Sequence, residues 1–82
     1  MAVDFHKLIK HIVEPLVVSP NDVSIKTLSE DDESIHLELL VNEKDLGRVI
    51  GRGGKIANAI RTIIYAGASK EGIRIYLDID AK

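Results

Sequence analysis

The chain has 82 residues, of which 45% are hydrophobic and 29% charged, with a net charge of -2 and no cysteine. That is enough chain for one small core and too little for two. The composition excludes a disordered segment, a disulfide framework and thiolate chemistry. No apolar run reaches the roughly 20 residues needed to span a membrane, and no basic start leads into an apolar leader. The expectation is a single domain over residues 1–82 in a reducing cytoplasm.

In chain order, Asp4 can cap a first helix in which Phe5, Leu8, Ile9, Ile12 and Leu16 recur at helical spacing, with Lys7, Lys10 and His11 on other faces. Pro15 ends or kinks its last turn, and Ser19-Pro20-Asn21-Asp22 is a turn signal. His6 and His11 are five apart and have no partnered His or Cys, so they read as surface histidines and no metal is expected. Val23, Ile25 and Thr27 alternate with Ser24, Lys26 and Leu28 as a strand. Ser29-Glu30-Asp31-Asp32-Glu33 then reads as an acidic hairpin connection without calcium-loop spacing. Ile35, Leu37, Leu39 and Val41 alternate with His36, Glu38 and Leu40 in a second, antiparallel strand.

Asn42 can cap the next helix, with Asp45 three residues on as a weak capping box and Leu46, Val49 and Ile50 as its buried corner. After the glycine-rich Gly51-Arg52-Gly53-Gly54-Lys55, the residues Ile56, Ile60, Ile63, Ile64 and Gly67 mark the core face of a longer helix. Ile73, Ile75, Leu77 and Ile79 alternate with Arg74, Tyr76 and Asp78 as the last strand. The order helix, strand, strand, helix, helix, strand predicts an α+β fold with three helices on one face of a three-stranded sheet. The long excursion between the last two strands makes one pair parallel, so the sheet is mixed.

Charge is distributed unevenly along this order. Residues 1–43 carry three lysines against nine acidic residues, a net of -6; residues 44–61 carry Lys44, Arg48, Arg52, Lys55 and Arg61 against Asp45, a net of +4. A local field of this kind matters more to a polyanion than the overall balance, because salt limits its reach to about 8 to 10 Å. The positive segment contains the glycines. Gly51 can end the preceding helix in a left-handed conformation, Gly53 and Gly54 can leave N–H groups open, and Lys55 begins a helix whose N-terminus favours anions. The spacing excludes two familiar phosphate loops. A Walker A loop would need glycine at Val49 and a hydroxyl at Ile56, and a dinucleotide fingerprint starting at Gly51 would need glycine at Ile56 and a preceding strand.

Val49-Ile50-Gly51-Arg52-Gly53-Gly54-Lys55, set between two helices in this order of elements, resembles the KH domain in its type II form. The size of the chain and Ile56-Ala57-Asn58-Ala59-Ile60-Arg61 are similar to the small bacterial single-KH proteins of the KhpA family. The family pattern carries a larger aliphatic residue where Ala57 stands. The resemblance implies a noncatalytic protein without cofactors, whose Gly51, Arg52, Gly53 and Gly54 form a GXXG loop on the backbone of about four nucleotides of single-stranded RNA. Arg48 and Lys55 would flank that loop, with Val49, Ile50 and Ile73 to Ile75 as groove walls. It also implies a homodimer or a heterodimer with a larger KH-containing protein, and roles as a post-transcriptional regulator or RNA chaperone connected with cell shape and division.

Only Phe5, Tyr65 and Tyr76 are aromatic and none lies in an RNP-like run, which disfavours an RRM or OB-type stacking platform. The alternative is a protein-interaction adaptor that keeps the fold with little RNA affinity. Retention of both glycines and cations in the loop favours RNA. An enzyme lacks support, since there is no Ser/His/Asp arrangement of recognised spacing and no metal set.

Overall fold

The computed structural model describes residues 3–82. Helix α1 spans Phe5–Val13, strands β1 and β2 span Ser24–Glu30 and Ser34–Val41, helices α2 and α3 span Leu46–Ile50 and Lys55–Lys70, and β3 spans Arg74–Ala81. The strands lie in the order β1-β2-β3, β1 antiparallel to β2 and β2 parallel to β3, with the three helices on one face. This is the expected α+β mixed sheet.

Asp4 caps α1 as expected, its carboxylate accepting from the Lys7 N–H at 3.1 Å, and Phe5, Ile9 and Val13 turn inward. The helix stops where Pro15 enters a 3-10 turn at Glu14–Leu16, because proline offers no N–H to continue the ladder. The hairpin is tighter than expected: β1 continues through Glu30, and the turn is confined to residues 31–33. A bulge makes this possible. Thr27 pairs with Leu37 and Ser29 with His36, so Leu28 is the extra residue and stands half exposed, while Ser29 and Glu30 stay in the ladder. Asp31 closes the turn by accepting from the Glu33 N–H at 2.7 Å and the Ser34 N–H at 2.8 Å, and these bonds hold its carboxyl below its ordinary range.

The core face of α3 is also rotated from expectation. Ala57, Ile60, Ile64 and Ala68 are buried, whereas Ile56 and Ile63 stand 36% and 50% exposed. Packing decides this. Alanines at both ends of the buried stripe let α3 approach the sheet closely, and Gly67 leaves room for Phe5, whose Cε1 would lie 3.4 Å from a Cβ placed there. Leu37 and Leu39 of the central strand complete the core, with Leu77 of β3.

Candidate nucleic-acid interface

The glycine junction is built from α2 upward. Val49 has no exposed surface and anchors α2 in the core, which corrects its expected place on a groove wall: it supports the loop from inside. Leu46 and Ile50 are partly buried. Gly51 ends α2 by donating its N–H to the Gly47 carbonyl at 2.9 Å, at φ 75° and ψ 172°. That is a positive-φ region reserved for glycine, but not the left-handed helical one expected. A Cβ there would also lie 2.7 Å from Ile56 Cγ1, so Gly51 is required twice over.

Arg52–Gly54 form one 3-10 turn, with Gly53 at φ 63° and Gly54 at φ 79°. The expectation that Gly54 keeps its N–H open is corrected: it donates to the Gly51 carbonyl at 3.2 Å, and Lys55 donates to Arg52. The N–H groups of Arg52 and Gly53 open the turn and have no acceptor within it. No side chain caps α3, whose N-cap is Gly54, and no acidic residue occupies its first turn. The positive end of a 16-residue helix is therefore left without an anionic cap, and the exposed Arg52 and Lys55 add full charges beside it. Arg48 is exposed too.

Asp45 holds this assembly to the rest of the molecule. It does not close a capping box; Asn42 alone caps, accepting from the Lys44 N–H at 2.9 Å. The Asp45 carboxylate turns inward instead, where it is the buried charged side chain among the described residues, and accepts from the Val18 and Ser19 N–H groups at 3.0 Å each. Arg48 Nε stands 3.6 Å from it. The Val18 N–H leads in holding the carboxyl below its ordinary range, joined by Ser19 and Arg48 and opposed by burial. A lowered folded-state pKa contributes stability that is fully present above the unfolded value of about 3.9 and is lost as pH falls through the folded one. Asp45→Asn is expected to lower the melting temperature at neutral pH and to flatten the loss of stability below about pH 4, leaving the part due to Asp31. Thermal melts across that range check it, and an unchanged acid profile would remove Asp45 from this role.

Ile73 to Ile75 are not beside the loop. β3 runs back along α3, so its start lies by the helix C-terminus, with the Ile73 N–H on the Ala68 carbonyl at 3.0 Å, while the loop stands at the other end. The end of β3 reaches the start of the α2 segment, where the Lys82 N–H meets the Val41 carbonyl at 2.9 Å. Arg61 bridges α3 and β3 midway, its Nε donating to the Leu77 carbonyl at 3.0 Å. Sequence reasoning counted Arg61 as charge and gave it no place in the site. The helical spacing of Asn58, Arg61 and Tyr65, a stripe flanking the core face, was the signal available. Among the described residues no cluster of His, Cys, Asp and Glu could hold a metal ion, and no helix is long and apolar enough to cross a membrane.

A three-stranded mixed sheet with one parallel pair, three helices on one face, and a GXXG turn joining the second and third helices define a KH domain of type II. The chain belongs to the KhpA/KhpB KH-domain family, whose profile, described as "KhpA/KhpB, KH domain", matches residues 6–79. The family is noncatalytic. The curated relatives include "RNA-binding protein KhpA" of Listeria monocytogenes, 51% identical over 73 residues that cover 89% of this chain and 95% of that one. The protein of the same name from Halalkalibacterium halodurans is 43% identical over 72 residues, covering 88% and 93%. That from Borreliella burgdorferi is 42% identical over 73 residues, covering 89% and 88%. No solved structure gives a significant match.

Proposed function

We propose that residues 1–82 act as a single KH domain that binds single-stranded RNA in the cytoplasm, gripping its backbone through Gly51, Arg52, Gly53 and Gly54. Lys55 and Arg48 supply flanking charge, and Ile50 supplies apolar surface beside the loop. One observation carries this reading: an exposed glycine turn with two cations stands at the uncapped N-terminus of the longest helix. The name of the relatives, RNA-binding protein KhpA, supports the same ligand.

Three or four neutralised phosphates give a log affinity that falls with log salt at a slope of roughly -2 to -3, by the single-strand rule of about -0.7 per contact. Anisotropy titrations of labelled single-stranded RNA between about 50 and 200 mM salt test this. Binding without salt dependence would remove the backbone clamp, and absence of binding would leave the adaptor reading in its place.

One domain of this size binds weakly, so a homodimer, or pairing with a larger KH-containing protein, raises effective concentration on one RNA. Self-association is supported by the outward side of α3, where Ile56, Ala59, Ile63 and Ala66 are all exposed at helical spacing. Sedimentation equilibrium is expected to show dimer, with Ile63→Asp shifting it to monomer. A parent that remains monomeric at high concentration would rule out the homodimer. Through such binding the protein would act as a post-transcriptional regulator or RNA chaperone.

A further inference from the structure

β1 is an outer strand of the sheet, and among the described residues no strand pairs with its outer edge. Such an edge leaves a row of backbone N–H and C=O groups open to another chain. A cleft of about 490 Å³ lies between this strand and α1, with His6, Lys7 and Lys10 on one wall and Val23, Ser24 and Ile25 on the other. Its base is apolar, Val23 being buried and Ile25 half-buried. A bond from helix to strand fixes the shape, His6 Nε2 lying 2.7 Å from Thr27 Oγ1.

The edge is cationic on both sides. Lys7 and Lys10 stand on the helix side, while Ile25 pairs with the buried Leu39, so Lys26 one place on turns to the uncovered face, opposite Glu38. All three lysines are exposed, and none is in an ion pair among the described residues. Asp4, the carboxylate that lines the cleft, is already engaged as the α1 cap. A strand added here points alternate side chains to either side and meets lysine on both. The edge also selects. Lysine on an outer strand opposes pairing with neutral or basic segments, and the bulge at Leu28 ends the regular edge, which leaves Ser24–Thr27 to pair. A phosphodiester could accept from the N–H groups of this edge but donates nothing to its carbonyls, whereas a peptide backbone matches both.

We propose that the α1–β1 cleft is a docking site for an acidic, extended segment of a protein partner, which adds as a fourth strand to the outer edge of β1 at Ser24–Thr27 with its carboxylates among Lys7, Lys10 and Lys26. The partner's backbone extends the ladder, and the lysines choose its charge. No residue of the glycine turn lines the cleft, so the inference is independent of the RNA-binding reading.

The test uses a fluorescein-labelled hexapeptide of alternating glutamate and valine, its counterpart with lysine in place of glutamate, and a form of the acidic peptide N-methylated at every residue. The parent is expected to bind the acidic peptide and not the basic one. The methylated form keeps the charge, loses the N–H donors and is expected not to bind. Lys7→Gln combined with Lys10→Gln is expected to lose at least about fivefold on the acidic peptide and nothing on a single-stranded decanucleotide of adenosine. Amide exchange in the parent is expected to slow within Ser24–Thr27 when the acidic peptide is added. A parent that binds neither peptide or both alike, full affinity for the methylated form, or unchanged exchange at Ser24–Thr27 would overturn the proposal. An equal loss on the decanucleotide would give the cleft to nucleic acid instead. A lysine variant that sediments as a smaller species than the parent, with no peptide present, would give the edge to a second copy of this chain, and the proposal would fall.

Discussion

Replacing Arg52 and Gly53 together by aspartate is expected to abolish single-stranded RNA binding and leave the domain folded. One exchange turns a cation into an anion and the other adds a second anion, a change of three charges at the point where phosphate is proposed to sit. At an effective dielectric of about 20, each charge pair at 4 Å is worth about 4 kcal/mol before screening, so a loss of at least about 100-fold in affinity is expected. The fold has room for the change. Arg52 is exposed, and a Cβ at Gly53 would meet nothing within 4 Å. Gly53 is at φ 63° and ψ 19°, the left-handed region that aspartate enters more readily than most residues, at roughly 1 kcal/mol. Circular dichroism and anisotropy on the same preparation separate the two effects. A folded variant that binds as tightly as the parent would show that the backbone is gripped elsewhere.

Gly51→Ala is expected to act in the opposite manner, on stability first. Its backbone at φ 75° and ψ 172° lies where only glycine is at ease, a strain of about 1 to 3 kcal/mol for any other residue. The new methyl would also meet Ile56 Cγ1 at 2.7 Å and Ile56 Cβ at 3.0 Å, so α3 has to shift at its first turn. Together these cost about 2 kcal/mol or more, which for a domain of this size lowers the melting temperature by about 10 °C. Gly53→Ala, strained but meeting no neighbour, is expected to cost about 1 kcal/mol. Adding Ile56→Ala to Gly51→Ala is expected to recover part of the loss, since it removes Cγ1 and leaves Cβ. Thermal melts decide the order, and a greater loss at Gly53 than at Gly51 would contradict this account of the turn.

Two readings that rested on individual side chains needed the packed structure to correct them. Asn42 and Asp45 have the spacing of a cap, yet the Asp45 carboxylate turns inward to Val18 and Ser19, more than twenty residues earlier in the chain. Val49 lies within the glycine-loop motif and so invited a ligand role, but the side of α2 that carries it faces the core.

Local physics made the element order, the α1 cap at Asp4, the alternation of β2 and β3, and the position of the glycine turn legible in the chain, because capping, periodicity and positive φ depend on residues a few places apart. The rotation of α3, the bulge at Leu28 and the inward Asp45 were settled only when helix packed on sheet. Each depends on volume or hydrogen-bonding partners brought together from distant parts of the chain, which no local spacing encodes.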